Sequence, residues 1–186
     1  MTVLRHAAAA FAVVLAAGAS HAAGLDIHAD ADAADVGLPA YPGAVKKADK
    51  GSDLAGFSFG VWGESFGVKL AVVSYRSSDS VDAVATFYRD AMGQYGPVLD
   101  CTHNQKKSDA APKDGDKKAA RDTPVTCDDD AGEAGGRLFK VGTQGAQRVF
   151  KVSPWHDGAK FELVRVETHG TDQSFVNFSV PSAMRR

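Results

Sequence analysis

Two cysteines, Cys101 and Cys127, carry the clearest chemistry in the sequence. In an oxidising compartment an even pair reads as a disulfide, and two free buried thiols are the alternative. No C-x-x-C occurs, which argues against a redox-active pair. Six histidines are present, two of them near the N-terminus at positions 6 and 21. Of the rest, His28, His103, His156 and His169, two fall in segments expected to be mobile and two beside turns. Trp155-His156-Asp157 invites a His–Asp reading, but adjacent residues on an extended chain point to opposite faces. Asp26, His28, Asp30 and Asp32 recur at period two, a pattern that could line up ligands for a divalent metal, with a solvated N-terminal segment as the plainer reading. Asp128, Asp129, Asp130 and Glu133 lack the ligand spacing of a calcium loop and read as an acidic turn. There is no H-E-x-x-H, no Walker loop and no G-x-G-x-x-G. No catalytic residue, cofactor or metal is therefore assigned.

The element that must organise the chain is residues 77–96, SSDSVDAVATFYRDAMGQYG. Val81, Val84, Ala85, Tyr88, Ala91, Met92 and Tyr95 recur at steps of three and four, one face of a helix. Asp82, Thr86, Arg89 and Asp90 fall on the other, and Phe87 lies at the margin. Asp79 is the expected N-cap. Gly93 or Gly96 stops the helix, and Pro97 cannot continue it. Such a helix is marginal alone, so it needs a sheet to cover.

The first 22 residues read as a signal peptide: Arg5, the apolar run AAAAFAVVLAAGA, then Ser20-His21-Ala22, with cleavage expected after Ala22. The run is shorter than the ~20 residues of a membrane span, and no stable membrane anchor is expected after cleavage. Losing Arg5 takes Lys+Arg from 21 to 20 against 23 Asp+Glu, so the mature chain carries about −3 and lacks the basic field of a nucleic-acid binder.

Residues 23–36 are expected to be a flexible mature N-terminus, and 37–180 a single domain. GLPAYPGAVKK fixes an extended lead-in through Pro39 and Pro42. GFSFGVWG and VKLAVVSYRS alternate at period two and form a hairpin across GESFG. Phe57, Phe59, Val61, Val68, Leu70 and Val72 make faces able to receive a helix. Trp62, Val73 and Tyr75 fall on a second, mixed face, either covered by the chain or an interaction surface. GPVLDC reads as a strand into Cys101. Residues 103–124 hold six basic and four acidic residues and almost no large apolar ones, and are expected to be a disordered insertion. A Cys101–Cys127 bridge would close that loop of about 25 residues, worth ~3–4 kcal/mol on the chain-entropy model. RLFKVG, AQRVFKVSPW and AKFELVRVETHG, separated by short turns, form an antiparallel meander. QSFVNFSV, 173–180, could add an edge strand before a frayed tail, 181–186.

The order of these segments resembles a group of small exported bacterial proteins of unknown function. The likeness rests on GLPAYPGAV, on VVSYRSSDSVDAVATFYRDAMGQYGPVLDC with its Phe-Tyr-Arg, and on RLFKVGTQGAQRVFKVSP with KFELVRVE. It covers most of 37–167 and implies a fold without implying an activity.

The expected architecture is α+β: a mostly antiparallel sheet of about five to six strands with one main helix, about 79–93, on one face. The expected role is a non-catalytic periplasmic or secreted interaction module with an unknown protein or small-molecule partner. A small-ligand or divalent-metal carrier and a periplasmic enzyme are the alternatives.

Overall fold

The structure, a computed structural model, describes residues 23–48, 54–103, 121–127 and 132–170. The expected signal peptide, Asp128–Asp130, the strand at 173–180 and the tail lie outside these residues, as does most of the 103–124 insertion.

The main helix, α2, spans Val81–Met92. Its stripe is the one the spacing demands: Val84, Ala85, Tyr88 and Met92 are buried, and Val81, Phe87, Ala91 and Tyr95 pack partly against the same core. The N-cap is Ser80 and not Asp79. The Ser80 hydroxyl accepts from Ala83 N at 3.2 Å, while the Asp79 carboxylate accepts from the Tyr41 hydroxyl at 2.7 Å. After Met92 the chain tightens into a 3-10 turn, Gly93–Tyr95. Gly96 then takes φ +124°, a conformation side chains rarely adopt, and the helix ends.

Among the described residues eight antiparallel strands form one sheet, more than the five to six expected. They are β1 Gly24–His28, β2 Val45–Lys46, β3 Gly56–Trp62, β4 Phe66–Ser77, β5 Leu99–Asp100, β6 Arg137–Thr143, β7 Ala146–Trp155 and β8 Gly158–Gly170. The order is β1-β3-β4-β8-β7-β6-β5, with β2 pairing the end of β4 that β3 leaves open. The hairpin and the meander stand as the alternation requires. The expected strand before Cys101 is β5, only two residues long; the extra strands are β1, in a segment expected to be mobile, and the two-residue β2, too short for any periodic signal.

The helix sits on the mixed face. Ala71, Val73 and Tyr75 of β4 join Phe161 and Leu163 of β8, Phe150 and Val152 of β7, and Phe139 and Val141 of β6 in the main core under α2. The opposite face carries a smaller cluster, Val72, Val164 and Val166 with Leu70 and Val149. Tyr88 ties helix to sheet: its ring stacks on Phe150 at 4.8 Å and lies 5.3 Å from Phe161. Burial pushes the Tyr88 hydroxyl up, so it stays protonated and donates to Pro39 O at 3.2 Å.

A four-residue helix, α1, Ala33–Val36, covers a further part of that face over β4 and β8. Its N-terminus is a capping box: Asp32 accepts from Ala34 N at 2.8 Å, and Asp35 accepts from Asp32 N at 2.9 Å. Gly56 lets this segment approach, since a Cβ there would stand 2.0 Å from Ala31 O. No helix among the described residues is long and apolar enough to cross a membrane.

Candidate functional site at the exposed sheet edge

The two edges of the sheet are built differently. At one edge Cys101 follows β5 and is bonded to Cys127, with Cα atoms 5.3 Å apart. Both cysteines are buried with Leu138, Leu99 and Val149. Residues 121–125 lie along the outer side of β6. Pro124 bridges Thr143, Val125 N donates to Gly142 O, Gln144 N to Thr123 O and Gly145 N to Arg121 O. The end of the expected insertion is thus held against the sheet. The pair is structural in character, because buried and bonded sulfurs offer no thiolate.

The other edge is β1 outside β3, and beyond the end of β3 it is β2, which pairs β4 directly. β1 pairs with β3 on its inner side, and no described strand pairs with its outer side. Five large hydrophobic side chains are exposed among the described residues: Leu25, Ile27, Val45, Leu54 and Trp62. All five lie on β1, β2, β3 or just before β3. Leu25 and Ile27 are the most exposed, at 65% and 57%. They oppose Val61 and Phe59, which puts them on the face away from α2. Gly24, Asp26 and His28 take the other face, where His28 Nε2 lies 2.8 Å from Asp26 Oδ1.

Of the residues expected to form an interaction surface, only Trp62 is exposed. Val73 is fully buried, and Tyr75, buried under α1, stacks on Phe161 at 5.4 Å and accepts from Ala33 N at 3.0 Å. The three share a side of the sheet but no continuous surface, because both helices settled there. The large residues of β6–β8 make that side the deeper core.

The ligand-like acids do not converge. Asp26 pairs with His28, Asp30 with Lys46, and Asp32 caps α1. Among the described residues no group of three or more His, Cys, Asp or Glu could hold a metal ion. His156 sits at the β7–β8 turn with φ +48°, its ring edge-on to Trp155 at 4.8 Å. Gly63-Glu64-Ser65-Phe66-Gly67 has the G-x-S-x-G spacing of a hydrolase elbow. It forms the β3–β4 turn, with Gly63 N donating to Phe66 O, and not the strand-to-helix turn that exposes a nucleophile.

A charged cluster around the buried Arg148, its other members half-buried, carries no sequence motif. Arg148 Nε donates to Val36 O at 3.0 Å, and its guanidinium lies 3.5 Å from the centre of the Tyr95 ring. Arg165 grips Glu167 through two hydrogen bonds of 2.8 and 2.7 Å and donates to Asp35 O at 3.2 Å. The Tyr95 hydroxyl donates to Gly37 O. Burial alone would raise the Glu167 carboxyl, but Arg165 and Arg148 outweigh it and hold it below the ordinary range. Arg148, Arg165 and Tyr95 are spent on the carbonyls that end α1 and Glu167 on the two arginines, so the cluster acts as a clamp.

The chain matches no family model, no curated protein and no solved structure.

Proposed function

We propose that this chain is an exported, non-catalytic binding module that takes an extended segment of a partner protein as an added strand along β1. The observation that carries the reading is that Leu25 and Ile27, the two most exposed large hydrophobics among the described residues, lie side by side on the unpaired strand β1, while the opposite edge is closed by a disulfide and a bound segment. An unpaired edge supplies main-chain donors and acceptors, and alternate side chains such as Leu25 and Ile27 supply pockets and contact area. Proteins normally blunt such an edge with charge or proline. Here the solvent-facing residues on the side away from α2 are apolar. Export is supported by the leader-like N-terminus, by the resemblance to small exported bacterial proteins, and by a cysteine pair that needs an oxidising compartment.

The test is site-specific photo-cross-linking in the cell envelope of the source cell. A cross-linker at residue 27 should give discrete adducts, and one at Thr86, on the exposed side of α2, should give none. Equal labelling from both positions, or none from residue 27, would overturn the reading.

A further inference from the structure

The side of the edge that carries Trp62 is shaped for a different ligand. Register places two rows of residues there. One runs Gly24, Trp62, Gly67, His169 across β1, β3, β4 and β8; the next runs Asp26, Gly60, Lys69, Glu167. Directly opposed residues share a face, so these eight form one surface beyond the cover of α1. Three of them are glycine, which leaves the surface low. The Trp62 indole lies across this bed. A Cβ at Gly24 would stand 2.0 Å from Cε2, 2.2 Å from Cζ2 and 2.3 Å from Nε1, inside the ring system. A Cβ at Gly60 would meet Cζ3 at 3.4 Å. The glycines therefore make room for the ring to lie low on the sheet, and 48% of the residue remains exposed.

The surroundings of the indole are polar on more than one side. Asp26 flanks Gly60 as the ring does, with its Cβ 3.7 Å from the Gly60 Cβ position. His169 flanks Gly67 in the same way, its Cδ2 3.5 Å from that Cβ position against 3.7 Å for Trp62 Cβ. His28, Asp26, Lys69 and His169 are all exposed. Carboxylate, ammonium and imidazole together offer both donors and acceptors with no excess of one charge. A held aromatic face ringed by mixed donors and acceptors matches a ligand with one flat C–H face and hydroxyls around its rim.

We propose that Trp62, with Asp26, Lys69 and His169, binds a pyranose ring of a glycan by stacking, on the side of the sheet away from Leu25 and Ile27. The site stands independently of strand addition at β1. Its ligand class follows from a half-exposed aromatic ring seated on glycines and neighboured by exposed hydrogen-bonding groups.

The experiment titrates the mature protein with two neutral tetrasaccharides, one of β-linked glucose and one of β-linked N-acetylglucosamine, observing the two indole N–H resonances by NMR. The expected result with at least one probe is a saturable shift of the Trp62 resonance, with Trp155 still. Trp62→Ala should abolish binding, and Trp155→Phe should retain it. Gly24→Ala keeps the indole but pushes it off its bed, and should weaken binding about tenfold or more. The amide spectrum of α2 reports that each variant is folded. No shift with either probe, a shift that persists in a folded Trp62→Ala protein, or full affinity in a folded Gly24→Ala protein would each overturn the proposal.

Discussion

Tyr88 is the joint between helix, sheet and lead-in, and replacing it separates two contributions. The residue is fully buried. Its ring contacts Phe150 and Phe161 from two strands, Phe87 at 5.1 Å from the helix, and Tyr41 at 6.4 Å from the lead-in. Tyr88→Ala removes this ring from a site whose walls are hydrogen-bonded strands. Those walls cannot collapse freely, so the cost should fall toward the upper end of the usual 3–5 kcal/mol for losing a buried aromatic, about 4 kcal/mol. Tyr88→Phe keeps the ring and loses only the 3.2 Å bond to Pro39 O. Pro39 is exposed, so water can replace the lost donor, and the cost should be about 0.5–1 kcal/mol. Urea unfolding of the mature protein, followed by circular dichroism, reads both as midpoint shifts at constant slope. An alanine variant costing less than about 1 kcal/mol, or a phenylalanine variant costing as much as alanine, would refute the placement of this ring.

Three further outcomes follow from the same packing. Cys101→Ser with Cys127→Ser should cost about 3 kcal/mol through the reopened loop, and reductant should destabilise the wild type by a similar amount while leaving the double variant unchanged. Arg148→Met should cost about 2–4 kcal/mol in urea unfolding, because it frees Val36 O, leaves the Tyr95 face bare and removes a charge beside Glu167. In acid, Glu167 and Glu133 should govern stability. Burial pushes both upward, but Arg165 for the first and Lys151 with Ser153 for the second bring them below the ordinary 4.5. The unfolded chain therefore takes up those protons first, and the stability is present above about 4.5 and lost as pH falls through the lower folded values. Urea midpoints measured from pH 6 to pH 3 should decline below that point, and less steeply in Glu167→Gln.

The helix, the sulfur bridge and the β6–β8 meander were legible because each rests on local pattern: a 3.6-residue stripe, an even cysteine count around a polar loop, and alternation broken by turns. The side of the sheet that takes the helix was not legible. On β3 and β4 alone, Phe57, Phe59 and Leu70 outweigh Ala71 and Val73, and only the rings of Phe139, Phe150 and Phe161 reverse that balance. The same period of two that drew notice to Asp26, His28 and Asp30 also set Leu25 and Ile27 on the opposite side of a strand. The acids drew the eye to metal chemistry and the apolar partners went unweighed. The Arg148–Arg165–Glu167 clamp joins residues far apart in sequence to backbone carbonyls of α1, which no side-chain motif records. Trp62 did stand out in the sequence, although its glycine bed comes from strands whose register only the fold supplies.

Strand addition at β1 is tested most directly by residue-resolved hydrogen exchange on the mature protein, alone and in complex with the partner trapped through residue 27. The expected result is slowed exchange in the complex confined to Gly24–His28 and the adjoining end of β3, with α2 and the disulfide edge unchanged. Slowing centred on α2 or on β5 and β6, with β1 unaffected, would contradict it.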